Sequence, residues 1–231
     1  MRRARAVLAV AVLAACVYVS KSTADSASWT EDFAIDKADL SSTGNNPYFI
    51  LEPGYQLCFE GRKTRLTITV LDETRTIDGV ETRVVEERES EGDKLKEVSR
   101  NYFAISKKTN SVFYFGEDSE EYNAKGEVAS REGSWQAGTD GAKAGLMMPG
   151  LVLLGARYYE EMAPKAAMDR AEIVSISETV QAPAGKFDGV LKTEETSPIE
   201  PRSKENKLYA RGIGLIKDGD LELVKYGPVK K

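Results

Sequence analysis

The stretch Thr74-Arg75-Thr76-Ile77-Asp78-Gly79-Val80-Glu81-Thr82-Arg83-Val84-Val85 decides how the rest of this chain is read. Two β-prone runs flank an Asp-Gly pair, and Asp-Gly supplies the two positive-φ residues that a two-residue type I′ hairpin needs. It predicts two antiparallel strands joined at residues 78 and 79. Upstream, residues 65–71 read RLTITVL, placing Leu66, Ile68 and Val70 on one face and threonines on the other, as in a strand with one buried side. Downstream, residues 101–105 (NYFAI), a polar turn over 107–110 and residues 112–116 (VFYFG) predict a second hairpin with aromatics on both arms. A third turn, Asn123-Ala124-Lys125-Gly126, leads into residues 127–135.

The second half repeats this style. Residues 171–182 (AEIVSISETVQA) alternate, Pro183-Ala184-Gly185 turns and residues 187–193 (FDGVLKT) return. Residues 207–211, 213–217 and 221–226 read as a three-strand meander whose last corner is Asp218-Gly219-Asp220. Only residues 164–170 have a briefly helical pattern. Roughly ten to twelve strands with little helix outside the leader predict an all-β, mainly antiparallel fold: a meander sheet curled into a barrel, half-barrel or sandwich.

Composition narrows the chemistry. The 231 residues contain no histidine, which excludes Ser-His-Asp and Cys-His catalysis and His-ligated metals. Hydrophobic residues make up 41% and charged residues 30% with mixed signs, the composition of a globular domain with a core. The formal net charge is -5, and losing Arg2, Arg3 and Arg5 with a leader makes it more acidic still. That argues against nucleic acid as a partner, which needs a basic face.

The N-terminus reads as an export signal. Arg2, Arg3 and Arg5 precede an uncharged, mainly apolar run over residues 6–19, too short for a mature membrane span. Within it Leu13-Ala14-Ala15-Cys16 resembles the bacterial lipobox, which implies cleavage before Cys16, lipid attachment there and a membrane anchor on the cell envelope. The alternative is ordinary cleavage after Ala24. Residues 1–16 are thus expected as signal peptide and 17–45 as a flexible tether, with Trp29, Phe33 and Ile35 as residues that would dock back. Residues 46–227 are expected as one β-rich domain and 228–231 as a tail. Cys58 is then without a chain partner and reads as a small buried hydrophobe.

One segment breaks the strand pattern: residues 138–155, GTDGAKAGLMMPGLVLLG. Its glycines and proline argue against a regular central strand, yet Leu146, Met147, Met148, Leu151 and Leu153 are too apolar for a free loop. It reads either as a core-plugging connection closing one end of a barrel, or as a hydrophobic lid on a ligand cavity or partner surface. Tyr114, which strand alternation turns away from Phe113 and Phe115, joins it as a candidate ligand or partner residue.

The acidic run Glu117, Asp118, Glu120 and Glu121 reads either as a solvated strand end or as a weak cation site without EF-hand spacing. Glu194 and Glu195 are adjacent on a strand and point to opposite faces, so they are not a converging catalytic pair. Gly212-Ile213-Gly214 lacks the helix of a dinucleotide-binding turn and reads as a bulge or tight bend.

Several runs carry a resemblance. Asn46-Pro47-Tyr48-Phe49, Tyr114-Phe115-Gly116-Glu117-Asp118, Gly133-Ser134-Trp135-Gln136-Ala137-Gly138 and Tyr209-Ala210-Arg211-Gly212-Ile213-Gly214-Leu215-Ile216 resemble a family of uncharacterised bacterial exported proteins and lipoproteins. The resemblance implies export and no particular activity. More distantly, a tethered curled sheet is similar to periplasmic lipoprotein-carrier folds, although their plugging helices have no counterpart in this sequence. The expectation is a non-enzymatic envelope lipoprotein without cofactors, whose β-domain binds a lipid-like, apolar or amphipathic ligand or an envelope protein partner. The alternatives are a structural module without a ligand and a hydrolase that uses carboxylates alone.

Overall fold

A computed structural model describes residues 28–229. Cys16 and the cleavage position after Ala24 lie outside the described residues. In chain order the strands are β1 (Leu40–Ser41), β2 (Gly44–Asn46), β3 (Phe49–Leu51), β4 (Tyr55–Glu60), β5 (Thr64–Ile77) and β6 (Val80–Glu91). There follow β7 (Lys94–Ser106), β8 (Val112–Tyr122), β9 (Val128–Ser130), β10 (Trp135–Gln136), β11 (Lys143–Met148) and β12 (Arg157–Tyr159). The last are β13 (Glu161–Met162), β14 (Arg170–Ala182), β15 (Gly185–Thr196), β16 (Lys204–Ala210), β17 (Gly214–Asp218) and β18 (Leu221–Pro228).

The Asp-Gly hairpin forms as its chemistry dictates. Ile77 pairs with Val80, and Asp78 and Gly79 both take positive φ, at 47° and 75°. From it the sheet propagates by antiparallel neighbours in the order β12-β14-β15-β16-β17-β18-β4-β5-β6-β7-β8-β11-β13. The two ends of this path, β12 and β13, are successive pieces of one chain segment separated by Glu160 alone. The sheet therefore curls almost completely around, giving a barrel-like all-β fold whose seam lies at Glu160. Curling in this way leaves only the short β12 and β13 as the ends of the path, in place of the long unpaired edges that an open sheet of this size would expose.

The main apolar cluster joins Leu51, Val85, Phe103, Phe115, Met148, Ile173 and Leu191. A second gathers Leu57, Phe59, Leu66, Val190, Ile216 and Leu223, with Val180, Ala184 and Phe187 packed against it. Each fully buried aliphatic or aromatic side chain contributes about 1.5–3 kcal/mol by leaving water.

Three sequence expectations change. Residues 143–148 form a strand, because β11 fits between β8 and β13 at a place where Gly145 must lie against Glu160: a Cβ there would sit 2.1 Å from the Glu160 carbonyl oxygen. Residues 164–166 form a turn closed by Ala167 N–H donating to Ala163 O at 3.0 Å, and Arg170 already begins β14, so 164–170 is not a helix. Part of the expected tether is built into the fold. Thr30 N–H donates to Arg157 O at 3.0 Å, Phe33 packs on Phe113 with ring centroids 6.3 Å apart, and β1 pairs with β7. Among the described residues the one helical element is the 3-10 turn Lys37–Asp39, and no helix is long and apolar enough to cross a membrane.

Candidate functional site

The curled sheet forms a partly open chamber of about 280 Å³. Tyr48, Phe49, Tyr55, Leu57, Ile68, Val70 and Met147 supply an apolar part of its wall. Alongside further apolar and aromatic residues such as Val85, Phe103, Tyr114 and Leu215, eight carboxyl side chains among the described residues line it, against the one ammonium of Lys207. A polar vestibule of about 360 Å³ shares Glu87, Glu97, Ser99 and Asp218 with the chamber. Its other walls include Thr64 and the turn residues Gly219 and Asp220, which places it at the end of the barrel where those turns lie.

Strand register explains which acids face inward. On one wall Glu87 of β6 pairs with Ser99 of β7, and Asn101 of β7 pairs with Glu117 of β8. Glu97, Ser99, Asn101 and Phe103 alternate along β7, so all four face the chamber. On β8, simple alternation would send Tyr114 and Glu117 to opposite faces. The register shifts between the pairs Tyr102–Gly116 and Phe103–Tyr114, leaving Phe115 as the extra residue of a bulge, and both Tyr114 and Glu117 line the chamber. Gly116 is required there, because at φ 147° a Cβ would sit 2.4 Å from the Trp135 carbonyl oxygen. The Tyr114 hydroxyl donates to Asn101 Oδ1 and lies 3.4 Å from Glu117 Oε2.

The seam supplies two more carboxylates by the same device. The backbone N–H groups of Glu160 and Glu161 both donate to Asp169 O, at 2.8 and 3.1 Å, so two residues oppose one. Their side chains both line the chamber and both are buried. Glu160 is 4% exposed, and its Oε1 has no hydrogen-bond partner among the described residues.

The wall that carries Lys207 is formed by β15, β16 and β17. Lys207 Nζ lies 2.7 Å from Glu195 Oε2 and 4.0 Å from Asp218 Oδ2. Thr193 Oγ1 donates to Glu195 Oε1 at 3.3 Å. The reading that Glu194 and Glu195 face opposite ways agrees with this arrangement. Glu194 pairs with the exposed Lys204 at 2.9 Å, while Glu195 turns inward to Lys207.

This environment changes proton affinities. Burial, opposed by Lys207 and reinforced by Glu117, Asp218 and Glu97, pushes the Glu87 carboxyl up to about 7. Burial and the neighbouring Glu97 push Glu117 to about 7. Burial, Asp169 and Glu117 push Glu161 to about 8. Burial and Glu195 hold Glu160 well above the usual carboxylate range. For Lys207, burial favours the neutral amine, but Glu195 and Asp218 outweigh it and hold the ammonium well above its ordinary value. The Tyr114 and Tyr209 hydroxyls, raised by burial and adjacent carboxylates, remain un-ionised.

The sequence-predicted site residues are dispersed. Tyr114 and Met147 line the chamber, Leu146 packs against the main core and Met148 is fully buried within it. Leu151 and Leu153 are 74% and 58% exposed on the outer surface, so they neither plug the barrel nor cover the chamber. The acidic run does not converge on a cation, because alternation and the bulge divide it. Glu117 faces inward; Asp118 bonds Arg75, Tyr102 and Gln136; Glu120 pairs with Arg131 at 2.6 Å; and Glu121 is exposed. Among the described residues no group of three or more His, Cys, Asp or Glu is placed to hold a metal ion. Cys58 is half-buried, with Sγ 3.5 Å from Gln56 Oε1, rather than a fully buried apolar residue.

Sequence reasoning missed Glu87, Glu97, Glu160, Glu161 and Lys207. Gly116 within an aromatic-acidic strand was the available signal for the bulge that turns Glu117 inward. The charged run over residues 86–97 offered none, because it has the composition of a solvated face. The motifs that carry the family resemblance are built into the scaffold: Asn46, fully buried, donates from Nδ2 to Asn110 O at 2.8 Å and to Pro149 O at 3.0 Å. Ser134 Oγ accepts from Ser119 N–H at 2.9 Å.

In comparison with known proteins, no family model, no curated protein and no solved structure matches this chain.

Proposed function

We propose that this protein is a non-enzymatic binding protein of the bacterial cell envelope, anchored through Cys16, whose barrel takes an amphipathic small molecule. The observation that carries the reading is the chamber itself. It is a partly open cavity inside the curled sheet, walled by aromatic and aliphatic side chains over one part and by hydrogen-bonding carboxyls over the other. Such a division suits a ligand with an apolar body and a polar head. The leader supports the envelope assignment through the basic n-region, the apolar run and Leu13-Ala14-Ala15-Cys16.

Native mass spectrometry of protein purified from membranes, with titration by the neutral fluorescent amphiphile N-phenyl-1-naphthylamine, tests the reading. We expect a non-covalent mass that leaves on denaturation, or saturable one-to-one dye binding. Ser99→Trp, which fills the chamber, should abolish dye binding, and Leu151→Asp on the outer surface should not. Absence of both the bound mass and saturable dye binding in folded protein would overturn the reading.

One observation favours a second reading. Several buried carboxyls with raised proton affinity share one cavity, the pattern of acid–base sites, and a hydrolase using carboxylates alone fits it. Turnover of aryl glycosides or phosphoesters that Glu160→Gln and Glu161→Gln abolish would establish that reading, and its absence would leave binding.

A further inference from the structure

We propose that the chamber selects an organic cation, an ammonium group carried on an aromatic or apolar body, with Glu160 and Glu161 at the seam receiving the charge. The inference rests on the reading of the chamber as a ligand site and names the class of ligand.

Three observations lead to it. The first is the imbalance of acids over bases: among the described residues eight carboxyl side chains line the chamber against one ammonium. That ammonium is occupied, since Lys207 already lies 2.7 Å from Glu195 and 4.0 Å from Asp218. Among the described residues no free positive charge is left on the lining to receive an anionic head group, whereas a cation meets carboxyls that can release their protons to pair with it.

The second is Glu160. It is 4% exposed, lines the chamber, and its Oε1 has no hydrogen-bond partner among the described residues. A buried carboxyl oxygen without a partner costs free energy that an N–H donor from a ligand would recover. Glu161 is beside it, turned to the same side by the seam bulge. The tyrosines Tyr158, Tyr209 and Tyr114 also act on this pair, and the chargeable groups beside it are Glu195, Lys207, Asp169 and Glu117. Three of the four are acids, so an entering ammonium supplies the opposite charge that burial denies them.

The third is the remaining wall. Tyr48, Phe49, Phe103 and Tyr114 line the same chamber. Aromatic faces attract ammonium and quaternary ammonium groups and pack against aromatic bodies. A bare metal ion would use none of these faces, and the acids are not arranged as a metal set among the described residues.

The test compares probes of one shape and different charge by isothermal titration calorimetry at pH 7.5 on the folded protein: 2-phenylethylammonium, benzyltrimethylammonium, 2-phenylethanol and 3-phenylpropionate. We expect both ammonium probes to bind at least tenfold more tightly than the alcohol, and the carboxylate most weakly. The double substitution Glu160→Gln with Glu161→Gln should reduce the ammonium preference at least fivefold, and Glu194→Gln, on the outer face, should leave it unchanged. Binding of the alcohol as tight as that of the ammonium probes would overturn the inference while leaving the chamber a ligand site. So would a preference that survives the double substitution. Failure of all four probes in protein that also rejects N-phenyl-1-naphthylamine would remove the binding reading itself.

Discussion

Glu117 and Asp118 are neighbours on one strand, yet they lie in opposite surroundings. Glu117 turns into the barrel, where burial and Glu97 raise it to about 7. Asp118 turns outward, where desolvation opposes ionisation but hydrogen bonds from Tyr102 and Arg75 prevail and hold it below its ordinary value. Glu194 and Glu195 repeat the contrast: the first pairs with an exposed lysine at the surface and the second with Lys207 inside. The lesson is that charge in this sequence says little until the face is known. Acids on the outside are ordinary ion-paired surface, whereas acids on the inside form a site.

The largest expected difference between the faces is at the two lysines. Removing Lys207 leaves Glu195 and its acidic neighbours buried without their cation, a change that typically costs about 3–5 kcal/mol. Removing Lys204 breaks a surface pair worth about 0–1 kcal/mol. Urea denaturation of Lys207→Met and Lys204→Met should therefore separate widely, and equal effects would mean that the interior is as wet as the surface.

Next comes pH. A carboxyl whose proton affinity is raised on folding binds more protons in the folded than in the unfolded chain. Between the unfolded value near 4.5 and folded values of about 7 to 8 for Glu87, Glu117 and Glu161, stability therefore falls as pH rises. Each tenfold rise in proton affinity is worth roughly 1.4 kcal/mol, so each of these groups contributes to the decline across this window. Thermal unfolding followed from pH 5 to 8.5 should show the decline, and Glu161→Gln should flatten it and raise stability at pH 8.5 relative to the parent protein.

A smaller effect of opposite sign belongs to the outer face. Asp118 is lowered, so its contribution is present above the unfolded value and lost as pH falls through the folded one. Its side chain is 44% exposed, and Asp118→Asn should cost no more than about 1 kcal/mol at neutral pH. Smallest of all, Leu151→Asp should change stability by less than about 0.5 kcal/mol, because the side chain is 74% exposed. Unfolding of that variant would show the leucine loop to be packed in solution.

These contrasts also show which parts of the structure could be read from the sequence. The Asp78-Gly79 hairpin, the second hairpin across residues 107–110 and the closing meander were legible because turn chemistry and period-two alternation act locally. The hairpin between Val80–Glu91 and Lys94–Ser106 was hidden, since Glu87 and Glu97 face an interior that is polar, against the assumption that inward residues are apolar. The candidate site fared worse for the same reason and for a geometric one. Bulges at Phe115 and at Glu160-Glu161 reverse the alternation that would assign those acids to the outside. The apolar segment drew attention through composition, yet its most hydrophobic part faces outward and only Met147 reaches the chamber.

Everything proposed for the chamber depends on the barrel keeping a set of glutamic acids away from water. Carbon-13 NMR of the glutamate carboxyls across pH 4 to 9 measures this, with Glu87→Gln, Glu117→Gln and Glu161→Gln giving the assignments. Midpoints of about 7 for Glu87 and Glu117 and about 8 for Glu161 are expected, well separated from the surface acids. Titration of every glutamate together near 4.5 would refute the proposal, for it would mean that water fills the barrel and that inside and outside do not differ.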